Sequence, residues 1–379
     1  MKILVLNYEF PPVGGGGGTV SEDIAIMYAK LGHSVTVLTM GFQGLPACEH
    51  KNGIDIIRLD CGRNRASSCS PIEQYRYIRK VEKYFFEHKE IQKNDICHVH
   101  FVVPTGEVAY RIKKKYAIPY IITAHGSDVD GHNSKLGVRV MHKFLKYRWR
   151  TIVKNAEYVI SPSQYLLGLI RDNYLYGNYR IIPNGIDRTE YSKIESGRRQ
   201  KKILVMGRLQ ENKNVQFVLN AYAKLNLPGW ELEIVGDGPY RDQLEKLVRE
   251  KNISESVRFH GWIKHNDELM RKLLSESSIY ISASKFENCP MSVIEAATAG
   301  CYPLVSDILA HREILPKEYL FELDNDDGLR EKLLERVPKY LESFKADTQK
   351  YDLSEVTAQY VDVLGKVMKD KHRTQARSV

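Results

Sequence analysis

The stretch Lys202-Ile203-Leu204-Val205-Met206-Gly207-Arg208-Leu209, followed by the helical segment Val215–Leu225, decides the fold. A short Ile/Val/Leu run bounded by glycine reads as a strand with both faces buried. A helix after a glycine corner makes a β-turn-α unit. Working outward, the unit recurs through the second half. Further strands read at Leu232–Val235, Val257–Phe259, Ile279–Ser282, Tyr302–Val305 and Tyr319–Glu322, with helices at Tyr240–Lys251, Asp267–Glu276 and Met291–Ala299. The first half repeats the scheme, with strands at Lys2–Asn7, Ser34–Thr39, Ile54–Asp60, Asp95–Phe101, Pro119–His125, Tyr158–Ser161 and Arg180–Pro183. Its helical stretches are Val20–Leu31, Ile72–Ile91, Gly106–Tyr116 and Leu136–Lys154. Alternating β and α at this spacing predicts parallel sheets with helices on both faces. The expectation is an α/β chain of two Rossmann-like domains, residues 1–186 and 202–350, joined by a polar linker at 187–201. The last helix, within 351–379, has no strand left to serve and is expected to cross back onto the first domain.

Composition agrees. The 379 residues are 43% hydrophobic and 27% charged, which excludes disorder, and no apolar run approaches a membrane span or a secretory signal. Six cysteines without Cys-x-x-Cys spacing point to free thiols in a reducing cytoplasm. The net charge of +9 is uneven: residues 1–190 hold 26 Lys+Arg against 18 Asp+Glu, and the rest 30 against 29. The first half is expected to face something anionic. Nucleic acid is set aside because no reader motif accompanies the charge.

In open parallel sheets, ligands bind at the carboxyl ends of strands, so residues that follow strands are the candidates. After the first strand come Pro11, Pro12 and the glycines Gly14 to Gly18, then a helix expected from Thr19 or Val20. Gly15, Gly16, Gly17 and Gly18 would let a backbone approach an anion at the helix N-terminus. No Gly-Lys-Ser/Thr follows, which excludes a Walker loop. His125 ends a strand before Gly126-Ser127-Asp128. His98 and His100 lie on one strand face, but no carboxylate or cysteine completes a metal set, and no metal is expected. In the second half, Arg208 and Lys213 beside Gly207 suit a diphosphate, and Gly236-Asp237-Gly238-Pro239 makes a second corner. Glu287 sits in a loop, while Glu295 lies in an apolar helix segment and needs a partner, either a ribose diol or a structural salt bridge.

Together these segments resemble glycosyltransferase family 4, retaining enzymes of the GT-B fold, whose two domains face each other across a cleft. The likeness rests on the ordered set His125-Gly126-Ser127-Asp128, Pro183-Asn184-Gly185-Ile186-Asp187, Gly207-Arg208-Leu209 with Lys213, Gly236-Asp237-Gly238-Pro239, Phe259-His260-Gly261-Trp262, and Glu287 eight residues before Glu295. The resemblance implies roles. Arg208 and Lys213 bind the leaving diphosphate, so no metal or other cofactor is needed, and Glu295 takes the ribose. Glu287 binds sugar hydroxyls together with Asn288, Cys289, Pro290, Met291 and Ser292. Asn184, Gly207 and Gly236 fall on the donor side, and His125 contacts the sugar near the reacting centre. The donor would be a UDP- or GDP-linked sugar and the acceptor a glycan or lipid-linked glycan. Departures from the family pattern are the five-glycine loop, Asn288 where glycine is common, and Ile308-Leu309-Ala310-His311 in place of a glycine pair. Two rivals share the architecture: a nucleotide-sugar epimerase and a non-catalytic nucleotide-sugar-binding subunit.

One more expectation concerns the segment Lys135–Lys154. Its seven cations, Lys143, Lys146 and Arg150 among them, accompany an apolar stripe of Met141, Leu145, Trp149 and Ile152. A basic amphipathic helix of this kind predicts docking on an anionic membrane. The enzyme would then be peripheral at the inner face of the cytoplasmic membrane.

Overall fold

The computed structural model describes the chain except residues 67, 127, 130–135, 175–176, 193, 195–198, 265–266, 346 and 378–379; side chains at 136–145, 192, 372 and 374–377 also lie outside the description. The chain forms two compact units, Met1–Gly185 with Leu353–Val379, and Ile186–Asp352.

The first unit runs β1 (Lys2–Leu6), α1 (Gly16–Lys30), β2 (Ser34–Met40), β3 (Cys48–Lys51), β4 (Ile54–Leu59), α2 (Pro71–Glu87), β5 (Ile96–His100), α3 (Thr105–Tyr116), β6 (Tyr120–Thr123), α4 (Leu136–Asn155), β7 (Tyr158–Ser161), α5 (Gln164–Tyr174) and β8 (Tyr179–Ile181). Among the described residues its sheet has the order β3-β4-β2-β1-β5-β6-β7-β8. Strand alternation feeds two cores. Leu4 and Leu6 of β1 pack on one face with Tyr77, Val81 and Phe85 of α2. Ile3 and Val5 pack on the other with Val20, Ile24 and Tyr28 of α1. Both faces being covered explains why β1 is apolar throughout rather than alternating.

The second unit runs α6 (Arg188–Ser192), β9 (Gln200–Met206), α7 (Val215–Leu225), β10 (Glu231–Val235), α8 (Arg241–Glu250), β11 (Val257–Gly261), α9 (Glu268–Glu276), β12 (Ser277–Ser282), α10 (Met291–Thr298), β13 (Tyr302–Ser306), α11 (Leu309–Arg312), β14 (Leu320–Phe321) and α12 (Asp327–Arg336). Its strands are parallel in the order β11-β10-β9-β12-β13-β14. Ile203 and Val205 of β9 pack with Val218 and Leu219 of α7, while Leu204 and Met206 pack with Leu273 of α9 and Ile294 of α10. The final helix, α13 (Leu353–Arg377), belongs to the first unit. Its stripe Val356, Tyr360, Val363, Leu364 and Val367 is buried with α1 and β1, each such side chain contributing about 1.5–3 kcal/mol.

Four expectations need correction. The first sheet is not wholly parallel: β3 pairs antiparallel with β4 as a short polar edge, too polar to read as a strand. The helix after the glycine loop starts at Gly16, so three of the glycines lie in its first turn. The segment 187–201 is no free linker. Tyr191 is 6% exposed in the second unit's core, and the 3%-exposed Arg199 donates to Leu274 O (2.6 Å) and Ser277 O (2.7 Å). Buried carbonyls satisfy that cation, which composition alone did not reveal. Finally, the described part of the α4 stripe is core: Trp149 is 3% and Ile152 0% exposed, packed in the first unit's interior. Arg148 forks onto Glu107 (2.7 Å for each bond) and Arg150 donates to Asn173 O (3.2 Å). Lys135 and the side chains of Met141, Lys143 and Leu145 lie outside the description. Among the described residues no helix is long and apolar enough to cross a membrane.

Candidate functional site

In the second unit, β10, β9 and β12 lie side by side, so the loops that leave their carboxyl ends are neighbours. Gly207 N donates to Val235 O and Leu209 N to Asp237 O, both at 2.9 Å. Contact this close excludes side chains: a Cβ on Gly236 would sit 1.9 Å from Gly207 O, and one on Gly238 2.3 Å from Leu209 O. Gly236 also has φ +134°, a conformation that favours glycine. The loops after β9 and β12 are tied as well, Lys285 N donating to Asn212 O at 2.8 Å.

This lacing brings Lys213 to Glu287. The ammonium donates to Glu287 Oε1, which also accepts from Ser284 Oγ at 2.7 Å. Burial works to raise the Glu287 pKa, but the Lys213 charge and these hydrogen bonds outweigh it and hold the carboxyl below its ordinary value. Arg208 is exposed at the same edge. Eight residues on, α10 carries Glu295, 6% exposed. Between them Asn288, Cys289, Met291 and Ser292 are half-buried and Pro290 is the residue before the helix. Ser292 Oγ accepts from Tyr280 Oη at 2.8 Å.

Sequence reasoning missed His311. It is 0% exposed, and its Nδ1 must donate to Ser306 O at 2.7 Å because a carbonyl only accepts. Its Nε2 is therefore a bare acceptor, buried without a partner among the described residues, and the ring is electrostatically coupled to Glu287 and Lys213. The only signal was the departure from a glycine pair.

In the first unit the glycine loop abuts His125. A Cβ on Gly17 would lie 2.7 Å from the Phe101 ring and 3.1 Å from His125 Cγ. On Gly18 it would meet Glu9 O at 2.8 Å, and Gly14, with φ +102°, has Glu9 Cβ at 2.5 Å. A Cβ on Gly15 or Gly16 would meet nothing within 4 Å, and both residues are exposed at the N-terminus of α1. Asp128 fixes the histidine's backbone: its Oδ1 accepts from His125 N (3.0 Å) and Gly126 N (2.9 Å), and its Oδ2 from Val102 N (2.6 Å). Burial pushes the His125 imidazole down to about 3, so it is neutral at pH 7. Behind it His98 bonds Tyr28 Oη (3.1 Å) and Thr123 Oγ1 (2.8 Å), and Thr123 reaches Tyr360 Oη of α13 (3.1 Å).

The candidates thus fall into two groups. Arg208, Lys213, Glu287, Glu295, Gly207, Gly236 and residues 288–292 gather at one sheet edge of the second unit. His125 and Gly15–Gly18 gather in the first. Asn184 is a first-unit residue beside Gly185, whose missing Cβ makes room for Leu353 Cα at 2.8 Å.

Residues 14–190 match the model described as Glycosyltransferase Family 4, and residues 187–342 the one described as Glycosyl transferases group 1. The chain is 24% identical to the alpha-monoglucosyldiacylglycerol synthase of Streptococcus pneumoniae, over 82% of this chain and 71% of that one. In fold it is similar to sucrose-phosphate synthase from Thermosynechococcus elongatus, with TM-score 0.79, 18% identity, and 98% and 100% of the two chains covered. It is similar also to Anabaena HepE in complex with UDP-glucose, with TM-score 0.73, 16% identity, and 97% and 100% covered.

Proposed function

Since this chain belongs with the family 4 glycosyltransferases of the GT-B fold, we propose that it moves a hexose from a UDP- or GDP-sugar to a glycan or lipid-linked acceptor, with retention of anomeric configuration and without a metal ion. The observation that carries the reading is the Lys213–Glu287 pair, with Arg208 and Glu295 at the same sheet edge. Cleaving a sugar–diphosphate bond leaves negative charge on the diphosphate, which Arg208 and Lys213 are suited to neutralise. Glu287, accepting from sugar hydroxyls, and the backbone amides of Met291 and Ser292 at the start of α10 would fix the hexose. Glu295 would hold the ribose diol. His125, neutral, would act as a hydrogen-bonding group rather than as a charge. Positioning and electrostatics supply the catalysis in this reading.

A panel of UDP- and GDP-sugars, scored for thermal stabilisation of the purified protein and then for transfer by mass spectrometry, tests it. Stabilisation by one donor and sugar added to an acceptor are expected. Conversion of the donor alone into an epimer, or binding without turnover on any acceptor, would overturn it.

The acceptor side is proposed to meet an anionic membrane, at the inner face of the cytoplasmic membrane. Support comes less from α4 than from α2. The outward face of α2 presents Ile72 (65% exposed), Tyr75 (62%) and Phe86 (61%) among Arg76, Arg79, Lys80 and Lys83. Lys89 and Lys115 stand over the Phe86 ring at 5.6 and 5.0 Å. Apolar and aromatic tips rimmed by cations suit an anionic bilayer interface. The exposed Arg150 and half-buried Lys146 of α4 would add charge, as would Lys143.

A further inference from the structure

His100 is 0% exposed on β5, and its Nδ1 lies 3.0 Å from His125 Nε2. Burial holds both rings neutral: it lowers His100 first, the neighbouring His98 and His125 lower it further, and burial alone takes His125 to about 3. Two neutral imidazoles share one proton across that contact, and two arrangements are possible. If His125 Nε2–H donates, the proton of His100 sits on its own Nε2. That atom is buried and has no partner among the described residues, so an N–H there would be an orphaned donor. Orphaned buried N–H groups are rare, whereas an unused lone pair is tolerated more readily. The other arrangement puts the proton of His100 on Nδ1, donating to His125 Nε2, and leaves only a lone pair unused. His125 then carries its own proton on Nδ1.

That nitrogen lies beside the glycine loop, 3.2 Å from where a Cβ on Gly17 would be. The ring has little freedom to turn, with Phe101 at 4.6 Å between centroids and Asp128 holding the backbone. We infer that His100 is a positioning residue that fixes His125 as the Nδ1–H tautomer, so that His125 serves the transfer reaction as a hydrogen-bond donor and not as a base. The consequence for catalysis rests on the function proposed above; the tautomer does not.

The test uses the full chain labelled with ¹⁵N in its histidines. Two-bond ¹H–¹⁵N correlations, with His125→Asn assigning the signal, should show a protonated Nδ1 and a bare Nε2 on His125. His100→Asn keeps an N–H near the Nδ1 position and should keep that pattern. His100→Ala should give mixed tautomers and a kcat at least tenfold lower with KM little changed, and His100→Asn should recover much of that loss. His100→Asp, which only accepts, should invert the tautomer. A wild-type His125 protonated on Nε2 overturns the inference, and that spectrum decides it even if the variants fold poorly. An unchanged kcat in a folded His100→Ala with mixed tautomers overturns the catalytic half. Failure of every nucleotide sugar to bind would count against the proposed function and leave the spectroscopic result standing.

Discussion

Lys213 and Glu287, 74 residues apart, are joined by an ion pair across the loops that follow the adjacent strands β9 and β12. Their side chains are only 21% and 13% exposed. Removing the ammonium therefore strands a mostly buried carboxylate, and Lys213→Ala is expected to cost roughly 2 kcal/mol of stability, less than a fully buried pair would. In transfer it should lose about 2–4 kcal/mol of transition-state stabilisation, or ~30- to 1,000-fold in kcat. Urea unfolding and steady-state kinetics measure the two effects separately. Wild-type turnover should meanwhile persist in excess chelator; its complete loss, restored by Mg²⁺ or Mn²⁺, would contradict metal-independent departure of the diphosphate.

Retention of configuration is expected at the transferred sugar. The anomeric coupling in the product's proton NMR spectrum reads it directly, and an inverted centre refutes the assignment. Glu287→Ala should cripple transfer while the circular dichroism spectrum stays native.

The glycines should divide by geometry. Gly236→Ala would place a Cβ 1.9 Å from Gly207 O at φ +134°, and a loss of at least about 3 kcal/mol is expected because backbone must move. Gly15→Ala meets nothing within 4 Å and should leave stability within about 0.5 kcal/mol, while reducing donor or acceptor affinity. Denaturant midpoints of the two variants make the comparison. Equal destabilisation would be the contrary result.

His98, fully buried, is pushed down to about 3 by burial, with His125 adding to the shift. Its unfolded value is about 6.5. Above that pH the ring is neutral in both states. Below it the unfolded chain takes up a proton that the folded chain refuses, so stability falls as pH drops from about 6.5 towards 3. At pH 5 this one group costs about 2 kcal/mol. The difference in unfolding free energy between pH 7 and pH 5 should shrink by that amount in His98→Gln; an unchanged difference argues against it.

Vesicle co-sedimentation should show binding that needs anionic lipid and weakens with salt. Replacing Ile72 and Phe86 by Ser should remove most of it. Changing Lys143, Lys146 and Arg150 to Glu should weaken it through charge alone. If the Ser variant sediments like the wild type, α2 is not the docking face.

Much of this protein was legible in its residues alone. Short apolar runs alternating with helices, twice over, gave two Rossmann-like sheets, because strand and helix periodicity are written in neighbouring residues. The strand-end motifs could likewise be found, since in a parallel sheet function gathers where strands stop. What stayed hidden depended on partners far along the chain. Trp149 and Ile152 make the same amphipathic pattern whether the stripe meets lipid or a sheet, and only packing assigned them to the core. Gly207 and Gly236 read as separate corners until β9 and β10 lay side by side and left no room for a Cβ on Gly236. Arg199 read as linker charge until the carbonyls of Leu274 and Ser277 came within its reach. Strand order, which no local pattern encodes, set Lys213 against Glu287 and His100 against His125, because burial and hydrogen bonding act on whatever the fold brings within about 3 Å.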